Sequence, residues 1–446
     1  MNNSYYIKQI NVVNEGSITN TNLYVSDGMF KEIGDFIIPD NAIVIDGTNR
    51  ILLPGVIDAQ VHFRDPGLIH KADLYTESCA AVAGGVTSFI DMPNTLPNVL
   101  SIDLLEEKYT IASQKSIANF GFLLGVNSDN LTSVLESDLS NHLAITDDGL
   151  YFTKKGNLLA DSPEIMERLF SNCSSLIAIH SEKEAIIEQN EKLFFEKYGD
   201  DIPFECHPLI RSEQACFEAT ERAIGIAEKY NTRLHILHLS TVAETALFRN
   251  DIPLDQKKIT TEVSIHHLWF SDKDYEKLGC LIKWNPAIKT LKDKEGLLKA
   301  LIEDKIDIIT TDHAPHSLAE KNQPYLKSMS GAPMIQHSLN VMLELYKQGK
   351  ISLEKIVEKM CHNPSILYKI KNRGFIRKNY FADFVIVDLN QSYTVNKSNI
   401  MYKCGWSPLE GTTFQSKILM TFVNGNLVFD KGVIFDQQKG MRLEVI

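Results

Sequence analysis

Three features of the sequence predict an α/β fold, a (β/α)8 TIM-like barrel with a small β-sandwich module built from both termini. Eight short β-rich runs alternate with longer amphipathic segments through the middle of the chain. Short strands separated by turns, without long helical periodicity, fill both ends. Five of the eight central runs finish in His or Asp.

The N-terminal strands read from YYIKQINVV, NLYVSDG and AIVIDG, and the C-terminal ones from DFVIVDL, ILMTFVNG and NLVFDKG. The simplest organisation is one β module made from residues 1–53 and 379–446, with a barrel over 54–378 inserted between them. The candidate barrel strands are 55–62, 86–92, 120–126, 143–148, 176–180, 234–238, 259–265 and 306–312. Helical patterns such as SPEIMERLFSNC and SEQACFEATERAIGIAEKY lie between them. The second opens on Ser212 and Glu213, an N-cap followed by an acid in the first turn. Eight strands with crossover helices close most simply into a barrel. Gly84 and Gly85 before the second strand read as turn punctuation, since GG alone makes no phosphate loop.

Composition narrows the function. The chain has 446 residues, 44% hydrophobic and 23% charged, with a formal net charge of -12. That is ample for a large core and argues against disorder. The acidic balance argues against a nucleic-acid partner, because phosphate binding needs a basic face. It leaves room for a small anionic substrate, since a local site can differ in sign from the surface. No apolar run approaches the roughly 20 residues of a membrane span, and none at the N-terminus resembles a signal peptide. The seven Cys are odd in number and lack CxxC spacing, which predicts buried free thiols in a reducing cytoplasm.

In such a barrel the active site lies at the C-terminal strand ends. There the first strand delivers His62, the fourth Asp148, the fifth His180, the sixth His238 and the eighth Asp312. A lone His at a strand end is usually structural; five strands converging on one rim argue for a metal. Imidazole and carboxylate suit Zn²⁺, one or two ions per chain, whose value would be a bound hydroxide near neutral pH.

Longer motifs carry a family resemblance. PGVIDAQVHFRDPG (54–67), DMPNT (91–95), HSE (180–182), HILHLST (235–241), KWNPAIK (283–289) and TTDHAPH (310–316) stand in one order. Through them the chain resembles the dihydroorotases of the amidohydrolase superfamily, and HPLIRSEQA, HHLWFSD and CGWSPLEG resemble the Bacteroidetes-type branch. The resemblance implies His62 on a first metal, His180 and His238 on a second, and Asp312 as ligand and proton shuttle. It implies that Arg64, Asn94 and Asn285 hold the substrate and that His316 contacts its carboxylate. A guanidinium can grip a carboxylate through two parallel charged hydrogen bonds. The implied reaction interconverts N-carbamoyl-L-aspartate and L-dihydroorotate in pyrimidine synthesis. Metal-bound hydroxide attacks, and Asp312 acts as general base and then general acid.

Two departures stand out. Where the family motif usually reads H-x-H, the first position here is Gln60, a poor neutral ligand. On the fourth strand, ITDDG (145–149) offers Asp147 and Asp148, and alignment through GNLLAD (156–161) favours Asp148 as the bridging ligand. His235 should face away from His238, because strand side chains alternate. His266 and His267 read as packing or capping, and His313 as support for Asp312 or its loop. The KTLKDKEGLLKA run (289–300) reads as a solvated helix face, and 317–333 as a flexible lid. Rival readings are a hydantoinase, dihydropyrimidinase or allantoinase relative, and a non-catalytic barrel that partners aspartate transcarbamoylase. A homodimer is the default assembly.

Overall fold

The computed structural model describes residues 4–37, 41–150, 159 and 162–446. Five strands come first: β1 (Tyr5–Asn14), β2 (Ser17–Ser26), β3 (Met29–Ile33), β4 (Ile43–Asp46) and β5 (Ile51–Pro54). β1 and β2 form a hairpin around Glu15 and Gly16, both at positive φ, the conformation that matches strand twist. Gln9, at φ 52°, interrupts the register of β1. Its first half then pairs with β4 and its second with β5, so one strand serves two neighbours.

The barrel follows: β6 (Val56–Val61), β7 (Val86–Asp91), β8 (Asn119–Phe122), β9 (Leu124–Gly125), β10 (Ile145–Thr146), β11 (Ile177–Ile179), β12 (Leu234–Ile236), β13 (Ile259–Ser264) and β14 (Ile308–Thr310). All eight predicted runs are present, with the third divided into β8 and β9. Every pairing from β6 to β8 and from β9 to β14 is parallel. The ring closes where Val61 bridges His313 and the His62 N–H donates to the His313 carbonyl at 2.8 Å. Helices cross between strands as predicted. Pro163–Asn172 starts with Pro, and Glu213–Tyr230 is capped by the Ser212 hydroxyl.

The chain then returns to the first sheet through β15 (Phe384–Asp388). β16 (Tyr393–Thr394) and β17 (Thr413–Phe414) form a small ribbon, and β18 (Lys417–Val423), β19 (Asn426–Asp430) and β20 (Val433–Ile434) complete the module. β15 pairs β5, so both ends of the chain share one nine-stranded sheet. Its apolar side chains, among them Ile7, Ile10, Leu23, Phe30, Phe384 and Phe422, form a core distinct from the barrel's. No helix among the described residues is long and apolar enough to cross a membrane. All seven cysteines are unpaired.

Two expectations need correction. The 289–300 run is not wholly solvated: Lys289 is buried, and its ammonium donates to Ser240 Oγ at 3.4 Å and to the Ala287 carbonyl at 3.1 Å. Residues 317–333 are tied down rather than free. The Lys321 ammonium is buried and donates to the carbonyls of Lys283, Met329 and Gly331. Lys283 donates in turn to Tyr325 and Ser328 carbonyls, both at 2.7 Å. Polar composition suggested mobility there, but two buried lysine side chains satisfy the loop's backbone carbonyls.

Candidate active site

Strand ends gather the predicted side chains. Asp148 Oδ1, His180 Nδ1 and His238 Nε2 lie within 4.8 Å of one another, all buried. The His180 Nδ1–His238 Nε2 separation is 3.0 Å, and Asp148 Oδ1 is 3.7 Å from the first and 4.0 Å from the second. His62 stands on the other side of Asp148, its Nε2 at 3.4 Å from Asp148 Oδ2 and 3.1 Å from Asp312 Oδ1. His62 Nδ1 meets Asn94 Oδ1 at 2.7 Å, which makes Nδ1 the protonated nitrogen and turns the Nε2 lone pair inward. Gln60 reaches the same place: its Nε2 donates to Asp148 Oδ2 at 3.3 Å.

Three of these residues sit at positive φ: Arg64 at 66°, His238 at 36° and Asp312 at 44°. Non-glycine residues avoid this region, and holding one there costs about 1–3 kcal/mol. The left-handed step at each strand end lets the chain turn while its side chain still faces the rim. Gly149, at φ 73°, allows a different close approach, since a Cβ there would lie 2.3 Å from Asn94 Nδ2.

Of the two adjacent acids, Asp148 faces the imidazoles and Asp147 faces backbone. Asp147 accepts from the His180 N–H at 3.0 Å and the Leu159 N–H at 2.7 Å. The GNLLAD segment used to choose between them lies, apart from Leu159, outside the described residues. Burial pushes Asp147 up to about 7, despite those bonds. Asp148 is equally buried, but the imidazoles of His180, His62 and His238 around it hold it well below the usual carboxylate range. Burial raises Asp312 to about 6, a shift that the neighbouring His62 limits.

Two carboxylates behind the site, Glu182 and Glu262, were not singled out in the sequence. Glu182 Oε2 lies 2.8 Å from His180 Nε2 and also takes a hydrogen bond from Arg211. A carboxylate behind a ligating imidazole fixes its tautomer, so His180 presents the Nδ1 lone pair inward. The HSE spelling held this signal, an acid two residues past a strand-end His. Glu262 joins three strands, accepting from Thr310 Oγ1 at 2.8 Å and from the His238 N–H at 3.4 Å, with His235 Nε2 at 3.0 Å. His235 therefore faces away from the cluster. His266 stacks on Trp284, ring centroids 4.1 Å apart. His313 bonds Glu77 at 2.9 Å and accepts from the Met334 N–H at 3.0 Å, which secures the end of the loop.

Arg64, Asn94, Asn285, Asp148, Asp312 and Trp284 line one narrow cavity beside His62. Arg64 is buried and forms no ion pair among the described residues. Its Nη2 is 3.3 Å from His316 Nε2, while the Lys71 ammonium is 3.1 Å from His316 Nδ1. A roomier cleft elsewhere contains Asp304, Asp307, Lys257 and Lys359, but those acids pair with those lysines at 2.6–2.8 Å.

Residues 51–428 match the model of the amidohydrolase family. The chain belongs to the amidohydrolase family. Among curated relatives, the dihydroorotase of Acetivibrio thermocellus is 31% identical over 426 residues, covering 93% of this chain and 97% of the relative. That of Pyrococcus furiosus is 30% identical over 424 residues, covering 94% and 91%. Among solved structures, an L-hydantoinase (dihydropyrimidinase) from Arthrobacter aurescens superposes with a TM-score of 0.91 at 26% identity over the whole of both chains. The sequence resemblance and the barrel are thereby borne out. In this amidohydrolase, the buried Asp148–His180–His238 cluster is the place suited to a metal ion.

Proposed function

We infer that this amidohydrolase opens and closes a cyclic amide bearing a carboxylate, with L-dihydroorotate and N-carbamoyl-L-aspartate as the pair. The observation that carries this reading is the buried Arg64 guanidinium beside the metal cluster, without an ion-pair partner among the described residues. An unpaired buried charge costs several kcal/mol, and a substrate carboxylate removes that cost. The dihydroorotase names of relatives spanning nearly the whole chain support the same choice.

The cluster suits zinc. His180 offers a lone pair, with Glu182 behind it, and Asp148 stays ionised. His238 Nδ1 has no partner among the described residues, so nothing opposes Nε2 as the ligating atom. When bound there, zinc supplies a Lewis acid that polarises a carbonyl and makes water more acidic. Asp312 takes the proton of the attacking water and returns it to the ring nitrogen, a task suited to a carboxyl raised to about 6. Arg64 and His316 hold the carboxylate. Asn94 and Asn285 orient the ring, with Asn94 fixed by His62. In the closing direction Asp312 reverses its two transfers.

A hydantoinase-like activity is the second reading, favoured by the structural likeness to the Arthrobacter aurescens enzyme. A substrate panel on zinc-loaded protein decides. Turnover of dihydroorotate well above that of hydantoin and dihydrouracil is the expected result. Preference for the uncharged rings overturns the carboxylate assignment.

A further inference from the structure

We propose that Lys71 is a positioning residue that sets the tautomer of His316 and so prepares the site for a carboxylate, an inference that rests on the substrate class above. Both ring nitrogens of His316 face donors: Lys71 Nζ at 3.1 Å from Nδ1, and Arg64 Nη2 at 3.3 Å from Nε2. Ammonium and guanidinium groups donate and never accept, and a neutral imidazole has only one lone pair in its plane. The ring is neutral, because burial and the charges of Arg64, Lys71 and Lys321 hold its protonation well below the usual range. One of the two contacts is therefore a meeting of donors.

The surroundings decide which. Lys71 is anchored from behind by Glu320 Oε1 at 2.9 Å. Glu320 is itself fixed, since its Oε2 accepts from the Ser317 N–H and hydroxyl, both at 2.9 Å, and lies 4.0 Å from His316 Nδ1. The ring is held by its own backbone, whose carbonyl accepts from Trp406 Nε1 at 2.8 Å. Among the described residues Arg64 has one other acceptor, the Pro315 carbonyl at 3.4 Å. Lys71 thus takes the Nδ1 lone pair, and the proton sits on Nε2. Nε2–H and the Arg64 guanidinium then point donors at one region, and an anion entering between them satisfies both. A neutral ring substrate leaves them opposed, so the lysine contributes to selection without touching the substrate.

Histidine ¹⁵N spectra of the full-length protein read the tautomer directly, with the His316 signal assigned by its loss in His316→Gln. The expected spectrum shows Nε2 protonated in the natural chain. In Lys71→Met the proton moves to Nδ1, as the ring accepts from Arg64 instead. In parallel, Lys71→Met should raise KM for dihydroorotate about tenfold or more, the effect of losing one charge-assisted hydrogen bond. The kcat should change by less than about threefold, because the interaction is made equally in ground and transition states. Lys71→Arg, which keeps a donor and the Glu320 contact, should restore most of the loss. A proton on Nδ1 in the natural chain, or a tautomer unmoved by Lys71→Met, overturns the proposal. So does a loss confined to kcat. Failure of the natural protein to turn over dihydroorotate, with the tautomer switching as described, overturns the substrate reading and the selection argument while the positioning role stands.

Discussion

Gln60 Nε2 lies 3.3 Å from Asp148 Oδ2, and Gln60 Oε1 has no partner among the described residues. An amide thus donates to an oxygen that would otherwise be open toward His62 and Asp312. Of the acids and imidazoles at the rim, only Asp148, His180 and His238 form a compact set among the described residues. His62 instead lies between Asp148 and Asp312.

Metal content follows from this arrangement. Purified protein should carry about one zinc per chain, and Gln60→His should raise this toward about two by adding a second imidazole beside His62. Elemental analysis by plasma mass spectrometry measures it. Two ions in the natural chain, unchanged by the substitution, would falsify the link between Gln60 and occupancy.

Glu182 should matter to the ion without touching it. Glu182→Gln removes the charge behind His180, and loss of such a partner weakens metal binding about 10–100-fold. Competition with a fluorescent chelator gives the affinity. An unchanged dissociation constant shows that the tautomer of His180 is fixed by other means.

The adjacent acids should separate cleanly. Asp148→Asn should abolish metal retention, since Asp148 supplies the only carboxylate of the compact cluster. Asp147→Asn should retain the ion but lower stability by about 1–3 kcal/mol, because one of the two backbone N–H groups it serves loses its acceptor. Metal analysis paired with urea denaturation distinguishes them, and the reverse pattern contradicts the orientation described here.

Lys283 links stability to pH. Burial pushes its ammonium down to about 7, whereas an unfolded lysine keeps its proton to about 10.4. Between these values the unfolded chain binds more protons than the folded one, so this group makes stability rise with pH over that window. Below about 7 both states are protonated and the contribution is flat. Urea midpoints at several pH values for the natural chain and Lys283→Met should differ in slope between pH 7 and 10. Parallel slopes rule out the burial effect.

Much of the site was legible because barrel geometry ties sequence position to spatial position. A residue just past a parallel strand must lie at the rim, so His62, Asp148, His180, His238 and Asp312 could be placed from their strands. Lys71, Glu182 and Lys283 were less visible, because their roles depend on atoms far away in sequence. Lys71 sits among polar loop residues, where a lysine is ordinarily solvated. Only its contacts with His316 and Glu320, some 250 residues later, give it a function. The 317–333 loop misled for the same reason: polar composition speaks of exposure, and the carbonyls that bury Lys321 leave no trace in it.

The sequence by itself determined the barrel, the terminal module and the chemical types at the rim, because strand and helix periodicity and strand-end position are local properties. Only the tertiary structure decided which of Asp147 and Asp148 faces the imidazoles, that Gln60 occupies Asp148, and that Arg64, His238 and Asp312 adopt left-handed backbone. Those outcomes depend on competition among neighbours for hydrogen bonds and space in a buried site, where a rotation of one residue changes every partner.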